Sequence, residues 1–296
     1  MRAILDEPVA LGMNHRLSSV AETLDANRAA DSGELRRDAE LLLAHCLQKS
    51  RAALLAGPEC AVSQEAAQRF TAFMTRRLAG EPVAYLLGEK EFWSLPLKVT
   101  RAVLIPRPDT EILVAAALES GDRDSQLSVA DLGTGSGAIA LALASERPHW
   151  KILATDAAEA ALAVARENAT RLGFGGIEFL VSDWFDALAG RRFDVIASNP
   201  PYIAAGDAAL ASPALAFEPR MALLAGPLGL EALAVLAAGA PRHLNPRGRL
   251  ALEHGFDQAQ GVRTLLEGAG FSTIRTHRDL AGHERVTSAE GPVHHP

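Results

Sequence analysis

Two stretches of the sequence bring chemistry-bearing residue types together at informative spacings. The first is Asp131-Leu132-Gly133-Thr134-Gly135-Ser136-Gly137. Glycine at alternate positions lets a backbone turn sharply and approach a ligand closely. A helix expected after the loop presents free N–H groups and the positive end of its dipole, which suits a carboxylate or a phosphate. Spacing alone leaves two ligands open. Gly133, Gly135 and Ala138 also satisfy a G-x-G-x-x-A dinucleotide pattern. Asp156 ends the next expected strand, where a nicotinamide enzyme and an S-adenosylmethionine enzyme alike place an acid on a ribose diol. Asp131 directly before the loop, and glycine at every second position, favour the methyl donor.

The second stretch is Asn199-Pro200-Pro201-Tyr202, directly after the apolar run Phe193 to Ser198. Two prolines fix φ and remove N–H donors, so the turn is stiff and rich in acceptors. A nitrogen nucleophile of the NH2 type needs such acceptors rather than a strong base. The Asn199 side-chain oxygen and the Pro200 carbonyl can each take one N–H hydrogen bond. Tyr202 offers a face on which a flat amide or base can stack.

The elements around these stretches follow from periodicity. Residues 1–86 read as a small all-α domain: Leu41 to Leu47 has helical apolar spacing, and Ser63 opens a helix through Phe70, Phe73, Met74 and Leu78. Residues 87–296 form the second domain, joined through a hairpin linker of about 87–105. Asp109 and Thr110 are expected N-caps for a helix from Glu111 to Leu118. Strands are expected over 127–132, 151–155, 177–181, 193–198, 249–253, 271–276 and 284–288. Helices are expected over 138–145, 158–172, 230–240 and 257–269. Such alternation predicts an α/β, Rossmann-like, mainly parallel sheet with helices on both faces.

Composition narrows the partners. The net charge of −7 lacks the electrostatic footprint of a chain that lives on nucleic acid. The apolar runs fall far short of the ~18 residues that span a bilayer. Asp6 and Glu7 stand where a signal peptide would be apolar, so a cytoplasmic chain is expected. Cys46 and Cys60 match no metal spacing and read as reduced thiols. No metal site is expected; His243, His254 and His283 read as surface or packing residues, His294-His295 is a weak metal signal, and the tail 291–296 is expected to be disordered.

Taken together, the glycine loop and the Asn-Pro-Pro-Tyr turn resemble the class I S-adenosylmethionine-dependent methyltransferases that act on planar amino nitrogens. Further segments resemble one branch, the peptide chain release factor glutamine N5-methyltransferases, called PrmC or HemK. These are Glu81 to Gly88 with Phe92-Trp93, Leu104 to Glu111, Ser182-Asp183-Trp184-Phe185, Glu218-Pro219-Arg220 and Asp279 to Gly282. His254 departs from the branch, which has an aliphatic residue there, and the first dozen residues read as an extension before Met13.

The resemblance implies roles. Gly133, Thr134, Gly135, Ser136 and Gly137 would cradle the methionine part of S-adenosyl-L-methionine, and Asp156 would accept both ribose hydroxyls. Trp184 would line the adenine pocket. Asn199 would touch donor and substrate, with Pro200, Pro201 and Tyr202 completing the substrate side. The substrate would be the glutamine of a Gly-Gly-Gln loop in a release factor, the product S-adenosyl-L-homocysteine, and the enzyme a monomer. The helical domain would grip the protein substrate. Three rivals remain. An adenine-N6 nucleic-acid methyltransferase can use the same turn but must hold phosphates and flip its base. A nicotinamide dehydrogenase explains the glycines but not the rigid Asn turn. A non-catalytic regulator that binds the methyl donor leaves Asn199 and Tyr202 without purpose.

Overall fold

The computed structural model describes residues 19–25 and 33–292. The readings of the start before Met13 and of His294-His295 lie outside them, as does the tail beyond Pro292. The chain divides into two compact units that part between Ala79 and Gly80.

The first unit is helical: α1 (Val20–Asp25), α2 (Gly33–Cys46), α3 (Arg51–Ala56) and α4 (Gln64–Leu78). Ser50 and Ser63 cap α3 and α4, accepting from the N–H groups of Ala53 and Ala66 at 3.1 and 3.2 Å. Each cap satisfies one of the N–H groups a helix start leaves without a partner. Leu42, Leu43, Leu54, Phe70 and Met74 form the buried face. At its edge Arg77 donates to Asp38 at 2.7 Å.

The second unit opens with the short helix α5 (Val83–Leu87), stopped by Gly88 in the left-handed region, φ +74°. A hairpin follows, β1 (Glu89–Phe92) with β2 (Leu95–Lys98). Its two turn residues, Trp93 and Ser94, both have positive φ, the mirror-image turn whose twist matches a hairpin. A 3₁₀ turn, Pro108–Thr110, leads into α6 (Glu111–Leu118).

Next come β3 (Ser128–Leu132), α7 (Ala138–Glu146), β4 (Lys151–Asp156), α8 (Glu159–Leu172), β5 (Glu178–Val181) and β6 (Phe193–Ser198). The chain finishes with α9 (Glu231–His243), β7 (Leu244–Glu253), α10 (Ala259–Gly268), β8 (Ser272–Arg278) and β9 (Glu284–Glu290). The sheet order is β5-β4-β3-β6-β7-β9-β8. Strands β5 through β7 run parallel, and β9 is antiparallel to both neighbours. Strand order reverses at β3, and ligands of open sheets bind at such a reversal, beyond the carboxyl ends of the strands.

Three expectations are corrected. Asp109 and Thr110 do not cap α6: Thr110 lies in the 3₁₀ turn with helical backbone and makes no cap bond. Its hydroxyl is engaged elsewhere, as described below. Helix α9 runs three residues past Ala240 and carries Pro241 within it. Strand β7 begins at Leu244 rather than Arg249, bridging an irregular Asn245-to-Gly248 segment where Arg247 has φ +64°.

Candidate functional site

The carboxyl ends of β3, β4 and β6 stand level. Leu132 pairs with Thr155, Asp131 with Ala197, and the Ser198 hydroxyl donates to the Leu132 carbonyl at 2.6 Å. Each strand therefore releases its following loop at one height. Those loops begin at Gly133, Ala157 and Asn199 and border a cavity of ≈ 280 Å³.

The glycine loop is tied to its neighbours. The N–H groups of Gly133 and Thr134 both donate to the Thr155 carbonyl, at 2.9 and 2.8 Å. Gly135, at φ +57°, donates to Asp156 Oδ2 at 2.9 Å. Gly133, Thr134, Gly135 and Ser136 line the cavity together with Ala138 and Ile139 at the start of α7. Gly137 does not line the cavity. It is glycine for packing: φ is +86°, and a Cβ would meet Leu141 at 3.1 Å and Ala165 at 3.3 Å.

Asp131 holds the loop from behind. Fully buried, it accepts from the Thr134 hydroxyl at 2.6 Å and the Ala140 N–H at 3.1 Å, while Oδ1 has no partner. Burial pushes its carboxyl up to about 7, against the pull of those two bonds. The folded chain therefore takes up a proton below pH 7 that the unfolded chain takes up only near its ordinary value of about 4. The stability this group contributes is full in acid and is lost as pH rises from about 4 to about 7, at up to about 1.4 kcal/mol per pH unit. We expect the fall in Tm between pH 5 and pH 8 to be smaller in Asp131→Asn than in the wild type. Equal falls in the two proteins would contradict this account.

Asp156 closes β4 at the cavity wall. Its Oδ2 accepts from Gly135 and its Oδ1 from the Ala158 N–H at 2.9 Å. A carboxylate has about four acceptor sites, so two remain for a ligand. Burial raises its pKa and the two backbone bonds oppose the rise. Trp184 also lines the cavity, at φ +45°, its carbonyl accepting from the Ser182 hydroxyl at 2.9 Å. Its ring lies over Gly133, where a Cβ would sit 3.6 Å from it.

Asn199 is half-buried and lines the cavity, with Pro201 beside it. Its Nδ2 donates to Thr110 Oγ1 at 3.2 Å, which leaves Oδ1 as the acceptor it can offer. Pro200 and Tyr202 do not line the cavity. Pro200 is buried, and Tyr202 packs against the hydrophobic cluster of Ile196, Leu250 and Leu252, its hydroxyl 3.5 Å from Glu253 Oε1. Tyr202 is half-buried, so part of its side chain remains exposed beside the turn. The Tyr202 carbonyl accepts from Gln258 Nε2 at 2.9 Å, which pins the turn from outside.

Arg107, Thr110 and Pro219 line the same cavity without having been singled out as site residues. The buried Glu218 accepts from the Ile105 N–H at 3.1 Å and pairs with the Arg107 guanidinium. This anchors the 104–111 loop to the segment that follows the Asn-Pro-Pro-Tyr turn. The buried His254 is a packing residue, its ring nitrogens 2.9 Å from the Gly255 carbonyl and the Thr287 hydroxyl.

Comparison with known proteins fits this arrangement. Residues 20–88 match the family model of the PrmC N-terminal domain, and residues 109–216 that of the methyltransferase small domain. A methyltransferase of known structure from Pyrococcus furiosus covers 75% of this chain and 100% of its own at 21% identity and a TM-score of 0.52, a likeness of fold. The release factor glutamine methyltransferase of Pseudomonas aeruginosa is 49% identical over 271 residues, 92% of this chain and 98% of that protein. That of Xylella fastidiosa is 50% identical over 257 residues, 87% of this chain and 94% of that protein. With about half of all residues shared across most of both partners' lengths, and both domains represented, this chain belongs to the family of release factor glutamine methyltransferases.

Proposed function

We propose that this chain methylates the side-chain amide nitrogen, N5, of the glutamine in the Gly-Gly-Gln loop of peptide chain release factors, using S-adenosyl-L-methionine. The observation that carries the reading is a single cavity lined by Gly133, Gly135, Asp156 and Trp184 together with Asn199. A donor site and an acceptor for an NH2 group adjoin there. The residues suit the donor: a carboxylate with spare acceptor sites for a diol, an aromatic ring for a purine, and a helix start for a carboxylate.

In this reading Gly133, Thr134, Gly135 and Ser136 border the methionine part, Gly137 lets α7 begin there, Asp156 accepts the ribose hydroxyls, and Trp184 packs beside adenine. When bound, the donor supplies an electrophilic methyl group on its sulfonium. An amide nitrogen is a poor nucleophile because its lone pair is delocalised, so positioning must supply most of the rate. Asn199 Oδ1 takes one N–H bond, and the carbonyl of Pro200, behind it in the turn, takes the other as the glutamine seats; together they aim the nitrogen. As transfer makes those N–H groups more acidic, both bonds strengthen, which is preferential binding of the transition state; the C–S bond breaks to leave S-adenosyl-L-homocysteine, and one N–H proton is lost to solvent. Pro201 and Tyr202 keep the turn stiff. The helical unit of residues up to Ala79 grips the folded release factor, since one glutamine side chain offers little to recognise.

The test is methyl transfer from labelled S-adenosyl-L-methionine. The acceptors are a release factor, its Gln→Ala loop variant, a free Gly-Gly-Gln peptide and adenine-containing DNA. We expect label on the intact factor, none on the Gln→Ala variant or the DNA, and much poorer labelling of the peptide. Label on DNA alone would move the chain to the adenine branch. Peptide and factor labelled equally well would remove the grip assigned to the helical unit.

A further inference from the structure

Between β6 and α9 the chain makes an excursion that holds three 3₁₀ turns, Ala208–Ala211, Leu215–Phe217 and Arg220–Ala222, and no α-helix or strand of its own. Backbone bonds close its base. The Ile203 N–H donates to the Leu223 carbonyl at 2.9 Å, the Ala225 N–H to the Ile203 carbonyl at 3.1 Å, and the Ala205 N–H to the Gly226 carbonyl at 2.9 Å. From Pro201 to Ala222, Glu218 alone is buried. An apolar side chain would need no partner there, whereas a buried carboxylate is costly unless it is paired and hydrogen-bonded.

Both Glu218 oxygens are used, and by one segment. Oε2 accepts from the Ile105 N–H at 3.1 Å, and Oε1 pairs with the Arg107 guanidinium. That segment is fixed by core. Val99, Val103 and Ile105 are buried among Ala161 and Val164 of α8, and the Tyr85 hydroxyl donates to the Val103 carbonyl at 2.6 Å. Phe217 packs against the same cluster, with the Arg101 guanidinium 4.9 Å from its ring centre. Both segments joined by Glu218 line the cavity. Leu104, Pro106 and Arg107 do so on one, and Pro219, Met221 and Ala222, directly after Glu218, on the other. Met221 is largely exposed there, an apolar side chain that a ligand can cover.

We infer that Glu218 is a positioning residue for the methyl donor: it ties the 219–222 wall to the 104–107 wall and so sets how fast the donor enters and leaves the cavity that both walls line. This rests on the reading of the cavity as the donor site. The choice of group suits the task. A buried ion pair fixes geometry without adding much net stability, since each partner is well hydrated once parted. Such a tie can be released and remade at each turnover, when the spent donor must leave.

The experiment follows labelled S-adenosyl-L-methionine leaving the full chain during a chase with excess unlabelled donor, with no release factor present. Calorimetry gives donor affinity, kcat is read with release factor at saturating donor, and Tm is measured alongside. Glu218→Ala removes a hydrogen bond and an ion pair, and should quicken dissociation roughly tenfold or more. Glu218→Gln keeps an acceptor for Ile105 and should fall between Ala and wild type. At saturating donor, kcat should fall less than affinity, because no group at the reacting nitrogen is removed. The ion pair is tested in an Arg107→Met background. There Glu218 has lost its cation, so Glu218→Gln should no longer quicken dissociation. Should Glu218→Ala fail to fold, Glu218→Gln in the two backgrounds makes the comparison. A lowered Tm with unchanged dissociation in the Glu218 variants, or equal quickening by Gln in both backgrounds, would overturn the inference and leave the donor site standing. A wild-type chain that binds no S-adenosyl-L-methionine would overturn the donor site and this inference with it.

Discussion

Asn199→Ala should turn over roughly 10²–10³ times more slowly than the wild type while still binding the methyl donor, a loss of about 3–4 kcal/mol of transition-state stabilisation. The magnitude follows from removing one preorganised hydrogen-bonding group at the position where charge develops. Asn199 directly follows β6, whose end is level with β3, so its backbone is held by the sheet. Its side chain is held by Thr110. Such a group meets the reacting nitrogen without reorganising, and its bond to the N–H strengthens as the methyl arrives. Alanine leaves the stiff Pro200-Pro201 turn in place and deletes only the acceptor. The loss should therefore fall mainly on kcat. Asn199 is half-buried, so little packing is lost, and Tm should move only slightly. Single-turnover methylation of a release factor, beside calorimetric titration of the donor, makes the measurement. Near-wild-type turnover in the variant would sink the role assigned to Asn199.

The parts of the site legible in the sequence are those whose chemistry is contiguous along the chain. Strand β3, the glycine loop and α7 follow one another, and Asp156 ends the very next strand, so period and spacing locate them. The Asn-Pro-Pro-Tyr turn is legible for the same reason, though contiguity does not say which way each member points. Neighbours in a turn point in different directions, and only Asn199 and Pro201 line the cavity while Tyr202 packs on the core. Spacing likewise does not separate a glycine that helix packing requires, as at Gly137, from one that faces a ligand.

Partners brought together by the fold were harder to read. Thr110 reaches Asn199 across 89 residues and Glu218 reaches Ile105 across 113, distances over which no local pattern carries information. In isolation Thr110 reads as a helix cap, since a threonine before an apolar run is the usual signal for one. Tertiary hydrogen bonds outbid that preference. Pro241 likewise reads as a helix end, yet α9 continues through it for two residues.

Asp156→Ala separates donor binding from chemistry. In the proposed reading the carboxylate takes both ribose hydroxyls, and hydrogen bonds to a charged group contribute about 1.5–3 kcal/mol each. Their joint loss should weaken donor affinity by roughly a hundredfold or more. Asp156 also accepts from Gly135 and Ala158, so alanine releases two loop amides as well. Asp156→Asn distinguishes the two contributions. It keeps one acceptor oxygen to hold the loop but loses the charge and presents an NH2 that can donate. We expect the Asn variant to keep a Tm closer to wild type than the Ala variant, with donor affinity reduced in both. At saturating donor, kcat should fall much less than affinity, because ribose contacts are made equally in the ground state and the transition state. Calorimetry that finds unchanged donor affinity in both variants would remove Asp156 from the donor site.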